Sequence, residues 1–156
     1  MSALNGVIAR AVTLLKQINE HRTMAFVEDE SSYLRLFDVA SMGTDQSAAL
    51  RSLGIYIAAQ HIEPVRLYIS TRGREYPGKQ GERFWRGKEV LLVASCGWRT
   101  KEILMYPLEV IRDENDKVHE VVASVSQQQY QLEQPVFDWV HAGYSYARQR
   151  QNAWLN

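Results

Sequence analysis

Residues 65–101 read VRLYISTRGREYPGKQGERFWRGKEVLLVASCGWRTK, and the interpretation of the whole chain starts from this stretch. Alternation from Val65 to Ser70 predicts a strand with one apolar and one polar face, the polar face being open to water or a partner. Glu89 to Cys96 is apolar on both faces, which predicts a central strand covered on both sides. The glycine-rich and polar residues between them, 71–88, are predicted to form one long loop.

The same stretch concentrates the positive charge of the chain. Residues 66–101 hold nine Lys or Arg against three acids, a local net charge of +6. Residues 1–65 hold five against seven, or −2, and residues 102–156 hold four against eight, or −4. Four aromatic residues, Tyr76, Phe84, Trp85 and Trp98, lie among the cations. Aromatic faces beside Arg and Lys are what single-stranded nucleic acid needs for base stacking and phosphate neutralisation.

We therefore predict a surface for an anionic partner, either nucleic acid or an acidic protein segment, and call it the basic surface. Its predicted members are Arg66, Tyr68, Arg72, Arg74, Lys79, Arg83, Trp85, Arg86, Lys88 and Trp98. The alternative is a solvated loop whose aromatic side chains fold back onto the domain and whose arginine stems cover apolar surface. The sequence lacks an RNP-type strand pattern, a GXXG loop and zinc-finger spacing, so the prediction rests on composition.

Outside this stretch the chain shows helix and hairpin patterns. Apolar residues at helical spacing predict an amphipathic helix over 3–21 and a second helix from an N-cap at Thr44 to about His61. Residues 24–39 fit either a hairpin or a strand followed by a helix, and we favour the hairpin because aromatic and β-branched residues are frequent there. Strands over 103–111 and 118–125 flank a polar turn, and a final helix follows from position 135.

The predicted order is α-ββ-α-ββββ-α, which describes an α+β fold with a mostly antiparallel sheet of four to six strands and helices packed on it. A length of 156 residues suits a single domain over 1–156. No segment approaches the roughly 20 apolar residues that cross a bilayer, and no secretory signal is recognisable. One cysteine agrees with a reducing compartment. We therefore expect a cytoplasmic protein with no membrane role.

The sequence contains no recognisable motif for catalysis, metal binding or a cofactor. Cys96 and His119 are the one nucleophile and base pair worth weighing, but a lone cysteine at the end of an apolar strand is usually a buried hydrophobe. The other three histidines show no metal-ligand spacing and are assigned structural or surface roles. The acidic turn 113–116 lacks the glycine of a calcium loop. We expect neither metal nor cofactor, and we lean against an enzyme.

The last predicted helix carries many large aromatic side chains. Trp139, Tyr146 and Trp154 belong to the residue types favoured as interface anchors. They indicate a second hypothesis, a homodimer formed through the helices, in which the basic surface is solvated or meets the acidic C-terminal third of a second subunit. The alternative is that these side chains wrap the edge of the sheet. A binding module, a homodimeric interaction protein and an enzyme without a recognisable motif are thus the three hypotheses, and the binding module is favoured.

Overall fold

The fold is that of a computed structural model, which describes residues 3–75, 89–123, 130–132 and 135–155, with the backbone alone for 74, 75, 130, 131 and 153–155. The elements follow the predicted order α-ββ-α-ββββ-α, with one short strand added before the last helix. They are α1 (Ala3–Ile18), β1 (Met24–Asp29), β2 (Leu34–Asp38), α2 (Gln46–Ala59), β3 (Pro64–Glu75), β4 (Val90–Gly97), β5 (Ile103–Arg112), β6 (Val118–Ala123), β7 (Tyr130–Gln131) and α3 (Val136–Leu155). The α+β prediction is confirmed, and so is the hairpin over 24–39.

The strands form an antiparallel sheet in the order β2-β1-β3-β4-β5-β6, and β7 pairs with the end of β3. β4 lies inside this sheet, and all eight of its residues are buried. An apolar run of this kind has no solvent-facing side, since both faces of the strand are covered. The prediction of a central strand covered on both sides is therefore confirmed.

Two hydrophobic clusters lie on the two faces of the sheet. On one face, α1 packs through Val7 and Leu15 onto strand residues that include Tyr68. On the other face, α2 and α3 pack onto residues that include Leu67 and Ile69. Successive side chains of a strand point to opposite faces, so β3 contributes to both clusters. The sheet is thus the middle layer between α1 and the α2–α3 pair.

The helices α2 and α3 approach each other closely through two glycines. A Cβ atom on Gly54 would lie 2.0 Å from the carbonyl oxygen of Val140, and one on Gly143 would lie 1.9 Å from that of Arg51. No side chain fits either space, because the neighbouring atom is backbone and cannot swing away. Glycine at both positions therefore lets the two helix backbones touch.

Two predicted helix boundaries are corrected. α1 ends at Ile18, where Asn19 takes a left-handed conformation with φ of 65°, rather than continuing to residue 21. The N-cap of α2 is Asp45 and not Thr44, because the Asp45 carboxylate accepts a hydrogen bond from the backbone N–H of Ala48 at 2.8 Å. The helix therefore begins one residue later than its predicted cap indicated.

The predicted loop 71–88 begins later than expected. β3 continues through Glu75, pairing with β4 as far as Gly73 and then with β7 at Arg74 and Glu75. A cross-strand partner for each of these residues explains the longer strand, since backbone pairing overrides the weak local preference of a glycine. The rest of the predicted loop, 76–88, lies outside the described residues.

Candidate functional site

The structure shows the side chains of four predicted members of the basic surface, and it does not gather them in one place. They are Arg66, Tyr68, Arg72 and Trp98. Arg66 and Arg72 lie six residues apart on β3, or roughly 20 Å at the usual rise of a strand. Arg74 is described by its backbone alone. The remaining members lie outside the described residues: Lys79, Arg83, Trp85, Arg86 and Lys88.

Arg66 is engaged by contacts within the domain. Its guanidinium donates from Nη1 to Ser95 Oγ at 3.1 Å and from Nη2 to Glu102 Oε1 at 2.9 Å. The hydrogen bond that Arg66 donates to Glu102 raises the pKa of Arg66. The Arg66 charge is therefore already matched by an internal carboxylate before any partner arrives.

The two aromatic members that the structure describes pack into the domain. Tyr68 is only 4% exposed, in the cluster beneath α1, and burial raises the pKa of its hydroxyl. The expectation of an open polar face on β3 is wrong at Tyr68, because α1 covers that face, and Tyr68 has no surface left for a partner. The Trp98 ring lies 4.3 Å from the ring of His141 and 5.0 Å from that of Tyr144, measured between centroids. Trp98 is therefore already engaged by α3.

Among the four predicted members whose side chains are described, Arg72 is the exposed one. No hydrogen bond or ion pair joins its guanidinium to another described residue. It lines a cleft of about 590 Å³, formed with Asn19, Glu20, His21, Thr23, Thr71, Glu89, Arg112 and Asp116. We call this the loop-root cleft, because it lies beside Gly73 and Val90, the last pair of β3 and β4 before the predicted loop. It is the candidate site.

Glu89 is the centre of a hydrogen-bonded network in the loop-root cleft. Arg112 donates to it from Nε at 2.6 Å and from Nη2 at 2.9 Å, and His21 Nε2 lies 2.7 Å from the same carboxylate. The hydrogen bonds from Arg112 lower the pKa of Glu89, so this carboxylate is ionised at neutral pH. An ionised carboxylate can only accept, and therefore Nε2 of His21 carries the hydrogen and donates it.

Arg112 also connects three segments of the chain. Its Nη1 donates to Asn19 Oδ1 at 3.1 Å and to the carbonyl oxygen of Asp116 at 2.8 Å. The Asn19 side-chain oxygen accepts a further bond from the backbone N–H of Val118 at 2.8 Å. The end of α1, the turn between β5 and β6, and the start of β4 at Glu89 are thus held together around one guanidinium. This arrangement gives the loop-root cleft a fixed wall.

His21 lies in the cleft, although the sequence indicated only a structural or surface role for it. Its side chain is 10% exposed, and Nδ1 is buried with no hydrogen-bond partner among the described residues. Burial lowers the pKa of His21, Glu89 opposes that effect, and the cations Arg72 and Arg112 add to it. The imidazole is therefore neutral at pH 7, with its hydrogen on Nε2 and a bare lone pair on Nδ1. No local signal marks this role, since Glu89 is 68 positions away in the chain.

A smaller cleft, of about 440 Å³, shares His21 and Thr23 with the loop-root cleft and extends to the start of α2. Its cation, Arg22, donates from its guanidinium to both carboxylate oxygens of Asp38. The positive charge of Arg22 is therefore already matched by the carboxylate of Asp38. The loop-root cleft therefore remains the better candidate for a charged ligand.

The two residues weighed as a catalytic pair lie far apart. Cys96 pairs with Ile103 at one end of β5, whereas His119 lies at the register shift beside Ile111 near the other end. Ile103 and Ile111 are eight residues apart on β5, which corresponds to roughly 26 Å at the usual rise of a strand. Cys96 is 2% exposed, and burial raises the pKa of its thiol. Cys96 and His119 therefore do not form a nucleophile and base pair in this structure.

The three aromatic residues predicted for self-association have different surroundings. Trp139 is partly buried against the cluster under α2 and α3. Tyr146 is 53% exposed, and the Arg150 guanidinium lies 5.6 Å from its ring. The side chain of Trp154 lies outside the described residues. Among the described side chains of this set, Tyr146 is the one that faces solvent.

Comparison with models of known protein families, with curated proteins and with solved structures finds no match for this chain. Over the ranges that the structure describes, no group of three or more His, Cys, Asp or Glu side chains is placed to hold a metal ion. In the turn 113–116, the Asp113 carboxylate accepts hydrogen bonds from the backbone of Asn115 and Lys117. None of the described helices combines the length and the apolar character needed to cross a membrane.

Proposed function

We propose that the protein is a non-catalytic binding module for an anionic partner, and that the partner is single-stranded nucleic acid. The observation that carries this proposal is the exposed Arg72 guanidinium at the loop-root cleft, which no described residue neutralises. Phosphate neutralisation is the main source of affinity for nucleic acid. Only a cation that is not already paired can supply it.

The neighbourhood of Arg72 supports the same proposal. Arg72 lies opposite Leu91 of the fully buried strand β4, so its backbone is paired with the buried centre of the sheet. In sequence, Arg72 opens the segment 72–88, which carries six Lys or Arg against two acids. The partner would therefore contact a fixed cation at the root of the loop and further cations along it.

The homodimer is the second proposal. The outer helices α2 and α3 expose Ile55, Tyr56 and Tyr146 by 40%, 42% and 53%, and tyrosine is favoured at interfaces. An enzyme is the least supported of the three hypotheses, because the one nucleophile and base pair that we considered is separated. A cytoplasmic location and the lack of a cofactor remain expectations that accompany the proposal.

Fluorescence polarisation of a labelled random single-stranded oligonucleotide tests the binding proposal at two salt concentrations, with the protein mass measured by light scattering. We expect binding that weakens steeply with salt, since each neutralised phosphate releases a counterion. No binding at low salt overturns the proposal. A stable dimer mass without oligonucleotide binding would favour the homodimer instead.

A matched pair of triple variants separates a local surface from a general charge effect. Arg72→Glu, Arg83→Glu and Arg86→Glu together reverse three cations of the basic surface, whereas Arg10→Glu, Arg51→Glu and Arg148→Glu reverse three exposed arginines on the helices. Both variants carry the same net charge. We expect at least roughly a tenfold loss of affinity for the first and a much smaller loss for the second. Equal losses contradict the proposed surface.

A further inference from the structure

We propose, on the basis of the binding function above, that the loop-root cleft holds one phosphate group of the partner beside Arg72 and that His21 gains a proton when this phosphate binds. The inference goes beyond an electropositive surface, because it names a phosphate site and a proton that accompanies binding. It rests on the surroundings of His21, on its two ring nitrogens and on the hydroxyl groups of the cleft.

The charged groups that act on His21 come from two strands and from the residue that precedes the strand between them. They are Glu89 before β4, Arg72 on β3 and Arg112 on β5, which is one anion against two cations. Glu89 is already bonded twice to Arg112. Arg72 is therefore the charge beside His21 that remains unmatched among the described residues, and an anion is its complement.

Two other acids, Asp116 and Glu20, line the cleft. Their surroundings reduce the electrostatic repulsion between their carboxylates and a bound anion. Asp116 is 91% exposed at its side chain, and its Oδ1 lies 4.0 Å from Nε of Arg112. Glu20 is exposed and lies near Arg22, whose cation it helps to stabilise. Exposed carboxylates are screened by water and salt. Among the described residues of the cleft, no carboxylate is hydrogen-bonded to Arg72 or ion-paired with it.

The cleft also offers a hydroxyl hydrogen. Thr23 Oγ1 and Thr71 Oγ1 lie 3.0 Å apart, and one of them donates to the other. Each hydroxyl carries one hydrogen, so the accepting threonine keeps its own hydrogen for another acceptor. Both threonines line the loop-root cleft together with Arg72, so a phosphate oxygen bound there can accept this hydrogen.

The proposed proton uptake follows from the protonation state of the two ring nitrogens of His21. Nε2 donates to Glu89, so the neutral ring presents only a lone pair at Nδ1, which is buried and has no described partner. A phosphate bound in the cleft adds negative charge near the His21 ring, which favours the imidazolium form. It also offsets Arg72 and Arg112, the two cations that disfavour that form. His21 then takes one proton from solvent onto Nδ1, and no other bond is made or broken.

Because binding is coupled to the uptake of this proton, the binding affinity should depend on pH. If the complex holds one more proton than its separate components, affinity rises as pH falls, by up to about tenfold per pH unit. The probe is a short single-stranded oligonucleotide with hydroxyl ends, so that its phosphates are all diesters. Isothermal titration calorimetry at pH 6.5 and 7.5, in two buffers of different ionisation heat, measures both the affinity and the protons taken up.

We expect uptake of up to one proton per complex and tighter binding at pH 6.5. Both effects should disappear in His21→Gln and persist in His119→Gln, which removes an exposed histidine on β6. Arg72→Gln alters an exposed side chain and keeps the test open if His21→Gln fails to fold. It should lower affinity, abolish proton uptake and reduce the slope of log affinity against log salt by about 0.7.

The outcomes separate this inference from the proposed function. Oligonucleotide binding that depends on salt and on the arginine reversals, but takes up no proton, keeps the proposed function and overturns the phosphate site at His21. If no oligonucleotide binds, inorganic phosphate is titrated alone while the His21 ring signals are followed by NMR. A shift of these signals that Arg72→Gln abolishes supports a site for free phosphate, and unchanged signals overturn the site.

Discussion

Arg112 holds the Glu89 carboxylate with two hydrogen bonds, of 2.6 and 2.9 Å, at the point where β4 enters the sheet. Both side chains are about one-fifth exposed, at 20% and 21%. The pair therefore lies between a solvated surface ion pair and a fully buried one. The pair connects the end of α1, the β5–β6 turn and the start of β4. We therefore expect its loss to destabilise all three segments.

Replacing Glu89 should destabilise the domain. Glu89→Ala leaves Arg112 without its carboxylate and His21 without its acceptor, and we expect a loss of about 2 kcal/mol in the free energy of unfolding. Chemical denaturation followed by circular dichroism measures it. Glu102→Ala is the matched control, because Glu102 also pairs with an arginine but is 55% exposed, and it should cost under about 1 kcal/mol. Equal losses would mean that the network around Arg112 adds nothing.

Adding one methyl group between α2 and α3 should be costly. Gly54→Ala and Gly143→Ala each place a Cβ within about 2 Å of a backbone oxygen, so the helices must separate, and we expect a loss of roughly 3 kcal/mol or more. Thermal and chemical unfolding provide the measurement. Gly6→Ala is the control, because Gly6 lies within α1 with nothing within 4 Å of the added carbon. It should raise stability by up to about 1 kcal/mol, since alanine favours a helix.

Stability should fall on mild acidification because of two histidines. Burial lowers the pKa of His21 and that of His141 below the ordinary 6.5, so the unfolded chain binds these protons more readily than the folded one. Their contribution is fully present above about pH 6.5 and is lost as pH falls from there towards the folded-state pKa. Denaturation midpoints measured between pH 7.5 and 5 should show this slope.

Removing both titrating groups tests the assignment. His21→Gln with His141→Gln should flatten the stability profile between pH 7.5 and 5, whereas His119→Gln, at an exposed position, should leave it as in the wild type. A profile whose slope is unchanged in the double variant would assign the acid sensitivity to other groups.

The cap of α2 distinguishes two neighbouring residues. Asp45→Ala removes the carboxylate that accepts the Ala48 N–H at 2.8 Å, and we expect a loss of about 1 kcal/mol in the free energy of unfolding. Thr44→Ala, one residue earlier, should change stability by less than about 0.5 kcal/mol. The reverse order in a denaturation experiment would restore Thr44 as the cap and contradict the observed hydrogen bond.

The order of elements could be read from local pattern because each pattern has a local cause. An apolar residue every three or four positions reports the helical repeat, and alternation or an unbroken apolar run reports a strand with one or two covered faces. β4 illustrates this, since its composition alone predicts the burial on both sides that is observed. The boundaries were less accurate, because the partners of Asp45 and of residues 71–75 decide where those elements begin and end.

The candidate site could be predicted only in part. Charge and aromatic composition led to the stretch that contains Arg72 and Glu89, but the same composition also pointed to Arg66 and Tyr68. Arg66 is matched by Glu102, and Tyr68 is covered by α1. Composition does not distinguish a free cation from a paired one, or an exposed aromatic ring from a buried one.

The sequence by itself determined the fold class and the segregation of charge, because backbone periodicity and formal charge are properties of neighbouring residues. Only the tertiary structure decided which faces are covered and which charges meet. His21 reaches Glu89 across 68 positions, and Arg112 reaches the same carboxylate across 23. Such encounters depend on how α1 and the hairpin of β5 and β6 pack against the sheet, and no local pattern carries that information.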